Sequence, residues 1–146
     1  MVNLQSEAQS TPASPAPRVM RGFAQVPREF MTSSPHAEII AKGIPENAEK
    51  PYKGQTTVLP KTPFIVYNTE GIRSKLTFES DAIWMESDDN KQERIFFSDI
   101  RGNVIQEMPK YEKSYVALCL STTYGKRWYY FIPAQYTQLL SGIMGP

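Results

Sequence analysis

Between Ile72 and Glu79 the chain alternates. Ile72, Ser74, Leu76 and Phe78 fall on one side, and Arg73, Lys75, Thr77 and Glu79 on the other. That period of two predicts an antiparallel strand with one buried face. Shorter β-branched and aromatic runs flank it: Phe64–Tyr67 before, then Ala82–Glu86 and Glu93–Phe97 after, each bounded by turn residues such as Asn68-Thr69-Glu70-Gly71 and Ser87-Asp88-Asp89-Asn90. A turn through Ser98–Asn103 leads into a short fifth strand at Val104-Ile105. Tyr115–Thr122 and Lys126–Ile132 read as a hairpin around Thr123-Tyr124-Gly125. The first of these is apolar on both faces, so it belongs in a central or covered position. From Pro133 the period changes: Tyr136, Leu139, Leu140 and Ile143 recur at helical spacing. Seven short strands and a closing helix predict a mainly β fold: a small bent antiparallel sheet, plugged at one end.

The first 61 residues follow another pattern. Nine of the 12 prolines lie at or before Pro63. Large apolar residues between Met20 and Met31 stand mostly alone, Phe23 and Phe30 among them. The chain therefore divides into an extended, proline-punctuated arm, 1–61, and a compact domain, 62–146. Within the arm, Ser34-Pro35 followed by His36–Lys42 and Gly43 predicts a short helix over 35–42, with Ser34 as its cap and His36 solvated in the first turn. Two readings of this segment stay open: a mobile linker with scattered hydrophobes, or a linear segment whose aromatics, Phe23 and Phe30, dock on a partner.

Charge and chemistry exclude more than they assign. Net charge is +1, with seven Lys/Arg against five Asp/Glu in 1–61 and nine against ten in 62–146. Neither part carries the basic field that nucleic-acid binding requires. One cysteine, Cys119, and one histidine, His36, leave no disulfide framework and no metal-ligand cluster, and they favour a reducing, intracellular setting. No apolar run reaches the length of a membrane span. A Ser–His or Cys–His scheme would have to join His36 to residues far along the chain, and no phosphate-cradling glycine loop is present, so the expectation is a non-enzyme without cofactors. On the last strand Trp128, Tyr130 and Ile132 alternate with Tyr129 and Phe131, which predicts two aromatic faces. One packs inward. The other is covered by the helix, the arm or a partner, which makes Trp128 and Tyr130 candidate partner contacts.

The strand order followed by a C-terminal helix resembles the pleckstrin-homology (PH) superfold. Ile95-Phe96-Phe97-Ser98-Asp99-Ile100-Arg101-Gly102-Asn103-Val104 is similar to the fourth-to-fifth strand junction of such domains. The resemblance implies a PH-like domain over 62–146. Where many members carry an inward tryptophan on the closing helix, this chain has Tyr136 and Leu139-Leu140. A fainter likeness is to inner-membrane-complex sub-compartment proteins of apicomplexan parasites, whose arms are acylated; this chain has Val2 in place of their glycine and no cysteine in the arm. The PH resemblance also implies phosphoinositide binding by a basic-x-basic pattern between the first two strands, and Arg73-Ser74-Lys75 has that spacing. The same two cations also read as simply the solvated face of an amphipathic strand, and Glu70 and Glu79 beside them favour that reading. The leading expectation is a non-catalytic scaffold that docks protein partners as an accessory subunit of a larger, plausibly cytoskeletal, assembly. The alternative is a peripheral membrane module reading anionic lipid through Arg73 and Lys75.

Overall fold

A computed structural model describes residues 27–144. Phe23 therefore lies outside the described residues. Seven strands form one antiparallel sheet: β1 Phe64–Tyr67, β2 Arg73–Phe78, β3 Ala82–Ser87, β4 Gln92–Phe96, β5 Ile100–Glu107, β6 Tyr115–Thr122 and β7 Gly125–Pro133. Their order across the sheet is β4-β3-β2-β1-β7-β6-β5. Helix α2, Thr137–Met144, follows β7 through a 3-10 turn at Ala134–Tyr136. This is the mainly β architecture that the hydrophobic pattern predicts, in the PH-like arrangement that the resemblance implies. The fifth strand is longer than its sequence suggests. Asn103 and Gln106 interrupt the apolar pattern, yet Gly102 to Glu107 pair residue by residue with Ser121 to Val116 of β6.

The sheet curls so that both halves line one interior. Leu76 and Ile83 from β2 and β3 meet Leu118, Leu120 and Ile132 from β6 and β7, all fully buried. Tyr136 of the 3-10 turn and Leu140 and Met144 of α2 close this core at i, i+4 and i+8, with Leu139 and Ile143 packed at its margin. Phe64 sits edge-on between Phe78 (5.8 Å) and Tyr136 (4.8 Å), joining the first strand to the helix.

A second cluster lies on the outer side of β5–β7. Met31, Ile39 and Ile40 from the arm cover Val104, Met108, Cys119, Trp128, Tyr130 and Phe131. Helix α1, His36–Ile40, lies at the centre of that cover. The facing on β7 departs from strict alternation. Val116 pairs with Ile132 but Leu118 with Tyr129, so two residues of β7, Tyr130 and Phe131, oppose the single Ala117. Phe131 takes φ +75°, a bulged conformation that costs a bulky residue about 1–3 kcal/mol. The bulge moves Ile132 into the inner core and sends Trp128, Tyr130 and Phe131 together to the outer cluster. Expecting Ile132 beside Trp128 and Tyr130, and Phe131 beside Tyr129, is corrected accordingly: one inserted residue flips everything after it.

Candidate functional site

The arm is held by buried polar groups at two places. His36 is 2% exposed, which corrects the expectation of a solvated first-turn residue. Its Nδ1 lies 2.8 Å from the Tyr130 hydroxyl and its Nε2 2.8 Å from Glu29 Oε1. Glu29 Oε2 in turn takes a hydrogen bond from Lys126 of β7. The Lys126 bond, then the His36 bond, hold the Glu29 carboxyl below the usual carboxylate range. Burial pushes the Tyr130 phenol well above its ordinary value, so it stays protonated as a hydrogen-bonding partner. His36 lies three and four residues before Ile39 and Ile40, so all three share one helix face. That spacing was the signal in the sequence for a buried histidine. Ser34 does not cap α1; its hydroxyl donates to the Glu38 carboxylate at 2.6 Å.

The second anchor is Gln135, fully buried in the turn before α2. Its Oε1 accepts from the Tyr52 N–H (3.2 Å), its Nε2 donates to the Lys50 carbonyl (3.1 Å), and its own carbonyl accepts from the Thr56 N–H (2.9 Å). Tyr115 donates to the Glu49 carbonyl (3.0 Å) and Tyr136 to the Glu49 carboxylate (2.6 Å). Nothing in Pro133-Ala134-Gln135 distinguishes this glutamine from a surface residue, so the sequence held no signal for it.

The candidate contacts divide sharply. Trp128 is 4% exposed and Tyr130 0%, beneath the chain's own arm; among the three possible covers for the aromatic face, the arm occupies it, and the two residues are not presented to a partner. Phe30, in contrast, is 83% exposed. Arg73 and Lys75 project together from the outer side of β2, while Ser74 between them is buried. Arg73 is engaged: Nε donates to the Glu46 carbonyl (3.1 Å) and Nη1 pairs with Asp88 (3.2 Å). With Lys61 the two cations border a cleft of about 690 Å³ that Glu49 also lines.

The one cysteine, the one histidine and Arg127 are spent on structure. Cys119 is buried in the outer cluster, and burial pushes its thiol up to about 12. Both nitrogens of His36 are committed to Tyr130 and Glu29. Arg127 forms a fork with Glu93 (2.8 and 2.9 Å) that ties β7 to β4. Beneath that fork the Tyr129 hydroxyl is the one buried side-chain polar atom among the described residues without a hydrogen-bond partner. Among the described residues no three His, Cys, Asp or Glu side chains converge as a metal ion requires, and no helix is long and apolar enough to cross a membrane.

The family described as the C-terminal PH-like domain in UBFD1 matches residues 38–144, taking in residues 38–61 of the arm. Two curated relatives, the human and mouse ubiquitin domain-containing protein UBFD1, are each 28% identical over 111 residues, 72% of this chain. The chain spans only about a third of their length, 35% and 30% respectively. No solved structure gives a significant match. The likeness to apicomplexan inner-membrane-complex proteins finds no support in these matches. The chain belongs to the family of C-terminal PH-like domains of UBFD1.

Proposed function

We propose that this protein is a non-catalytic docking unit, an accessory component that binds other proteins through its folded surface. The observation that carries the reading is the fate of His36 and Cys119. They are the chain's one histidine and one cysteine, and both are locked in the layer between arm and sheet, which removes histidine- and cysteine-based schemes. Family membership supports an interaction domain in the same direction. No observation points to a cytoskeletal assembly in particular. The relatives' names attach a ubiquitin domain to this domain, so ubiquitin is the first defined protein to titrate. Affinity purification of the 146-residue chain tests the reading. A stoichiometric protein partner is expected, and recovery of none contradicts it.

A second reading has one observation in its favour, the convergence of Lys61, Arg73 and Lys75 on one cleft. There the chain is a peripheral module for anionic inositol lipids. Flotation with phosphoinositide vesicles that is lost in Arg73→Ala/Lys75→Ala would replace the docking reading with this one. Absence of flotation removes it.

A further inference from the structure

β5 is one of the two edges of the sheet, and its outward backbone can be assigned. The two-residue turn Thr123-Tyr124 makes Thr122 and Gly125 a bonded pair of the β6–β7 ladder. Counting back by twos, Leu120 and Leu118 also turn to β7, while Cys119 and Ala117 turn to β5. Their partners there are Val104 and Gln106. The N–H and C=O groups of Asn103, Ile105 and Glu107 therefore face away from the sheet. The Ile105 carbonyl confirms the parity: it accepts from Arg28 Nη1 at 3.2 Å, a side chain in the place a neighbouring strand would fill. Next to it, the Gln106 side chain clasps the arm backbone, Oε1 accepting from the Glu29 N–H and Nε2 donating to the Glu29 carbonyl, both at 2.8 Å.

This edge opens onto a groove of about 1010 Å³. Val116 and Ala134 provide apolar floor, and Tyr52 to Gln55 of the arm form the opposite wall. Arg28, Lys53 and Lys113 line the groove against a single carboxylate, Glu107. None of the three cations is ion-paired among the described residues. An edge strand and positive charge that are both unpaired among the described residues select an extended, acidic segment.

We infer that an acidic, extended segment of a partner protein adds as an eighth strand along Ile105–Glu107, its carboxylates meeting Arg28, Lys53 and Lys113 and an apolar side chain resting on Val116. Arg28 is the gate. It satisfies Ile105 in the free protein and swings to a partner carboxylate when a strand takes its place. The inference deepens the docking reading and rests on it.

The test is an amide-resolved NMR titration of the full chain with an eight-residue peptide alternating Glu and Val, and with its Lys-for-Glu counterpart. Shifts centred on Ile105 and Glu107 with the acidic peptide alone are expected. Reversing charge in Lys53→Glu/Lys113→Glu is expected to weaken binding roughly tenfold. Glu107→Pro removes an outward N–H and no bond to β6, so it weakens binding with little change in melting temperature. Equal binding of both peptides, shifts confined to another surface, or undiminished affinity in the charge-reversed variant would overturn the assignment. A purified partner that Lys53→Glu/Lys113→Glu still captures leaves the docking reading intact and sinks this surface; recovery of no partner by the wild type sinks the docking reading itself.

Discussion

The outer sides of the two halves of this sheet are built on opposite principles. On β2–β4 the outward positions are Arg73, Lys75, Thr77, Trp84, Glu86, Gln92 and Arg94, a polar surface with one tryptophan laid under the Arg94 guanidinium at 4.7 Å. On β5–β7 the outward positions are Val104, Cys119, Trp128, Tyr130 and Phe131, and the chain's own arm buries them. The first face is polar enough to stand in water, the arm touching it where Arg73 reaches the Glu46 carbonyl. The second would leave a large apolar patch if uncovered, a state that monomeric proteins avoid. Two tryptophans of one domain thus have different jobs because only one of them lies under α1.

The largest break in that contrast is removal of the arm. Residues 62–146 alone expose Trp128 and Tyr130 and strip Gln135 and His36-bonded Tyr130 of their partners. The fragment is expected to lose cooperative melting by circular dichroism and to self-associate on a sizing column. Next comes the tryptophan pair. Trp128→Ala should cost about 3–5 kcal/mol in denaturant unfolding. Trp84→Ala, at a partly buried position on the polar face, should cost about 1 kcal/mol or less. Equal losses would erase the distinction between the faces. Smaller again is the polar latch. Tyr130→Phe leaves His36 Nδ1 without its partner and should cost about 1–3 kcal/mol.

The latch also has a pH dependence of fixed sign. Glu29 is held below its ordinary value of 4.5, by Lys126 first and His36 second. A depressed carboxylate contributes stability that is present above 4.5 and is lost as pH falls through the lower, folded value. Acid should therefore loosen the arm, and Glu29→Gln should flatten that part of the stability profile. Smallest of all, Arg73→Ala/Lys75→Ala on the open face should change stability by no more than about 0.5 kcal/mol.

What could be read in the sequence follows the same division. The alternation of β2 is faithful because one side meets the core and the other water, so polarity maps onto geometry. β6 and β7 read apolar on both faces, which correctly announced a cover. Which of the three candidate covers lies there was not written in the sequence: Met31 looks like a scattered hydrophobe, and Ile39 and Ile40 mark an apolar face of a short helix without saying what it packs on. The Phe131 bulge was illegible for another reason: a positive φ at a phenylalanine is imposed by tertiary pairing with Ala117, against its local preference. Gln135 and Glu29 were missed as sites because a buried polar residue and a solvated one have the same letter. Their roles appear only when the backbone of 49–56 and the ring of His36 arrive beside them.

The account's central claim, that the arm is a structural layer over β5–β7, is tested most directly by the thiol of Cys119. It lies in the covered cluster, and burial holds its pKa at about 12. Labelling with a disulfide reagent at pH 8 is to be followed in the wild-type chain and in Ile39→Asp/Ile40→Asp, with circular dichroism confirming that the sheet persists. The account predicts a protected thiol in the wild type and rapid labelling in the variant. Protection that survives disruption of α1, with the sheet intact, would contradict it.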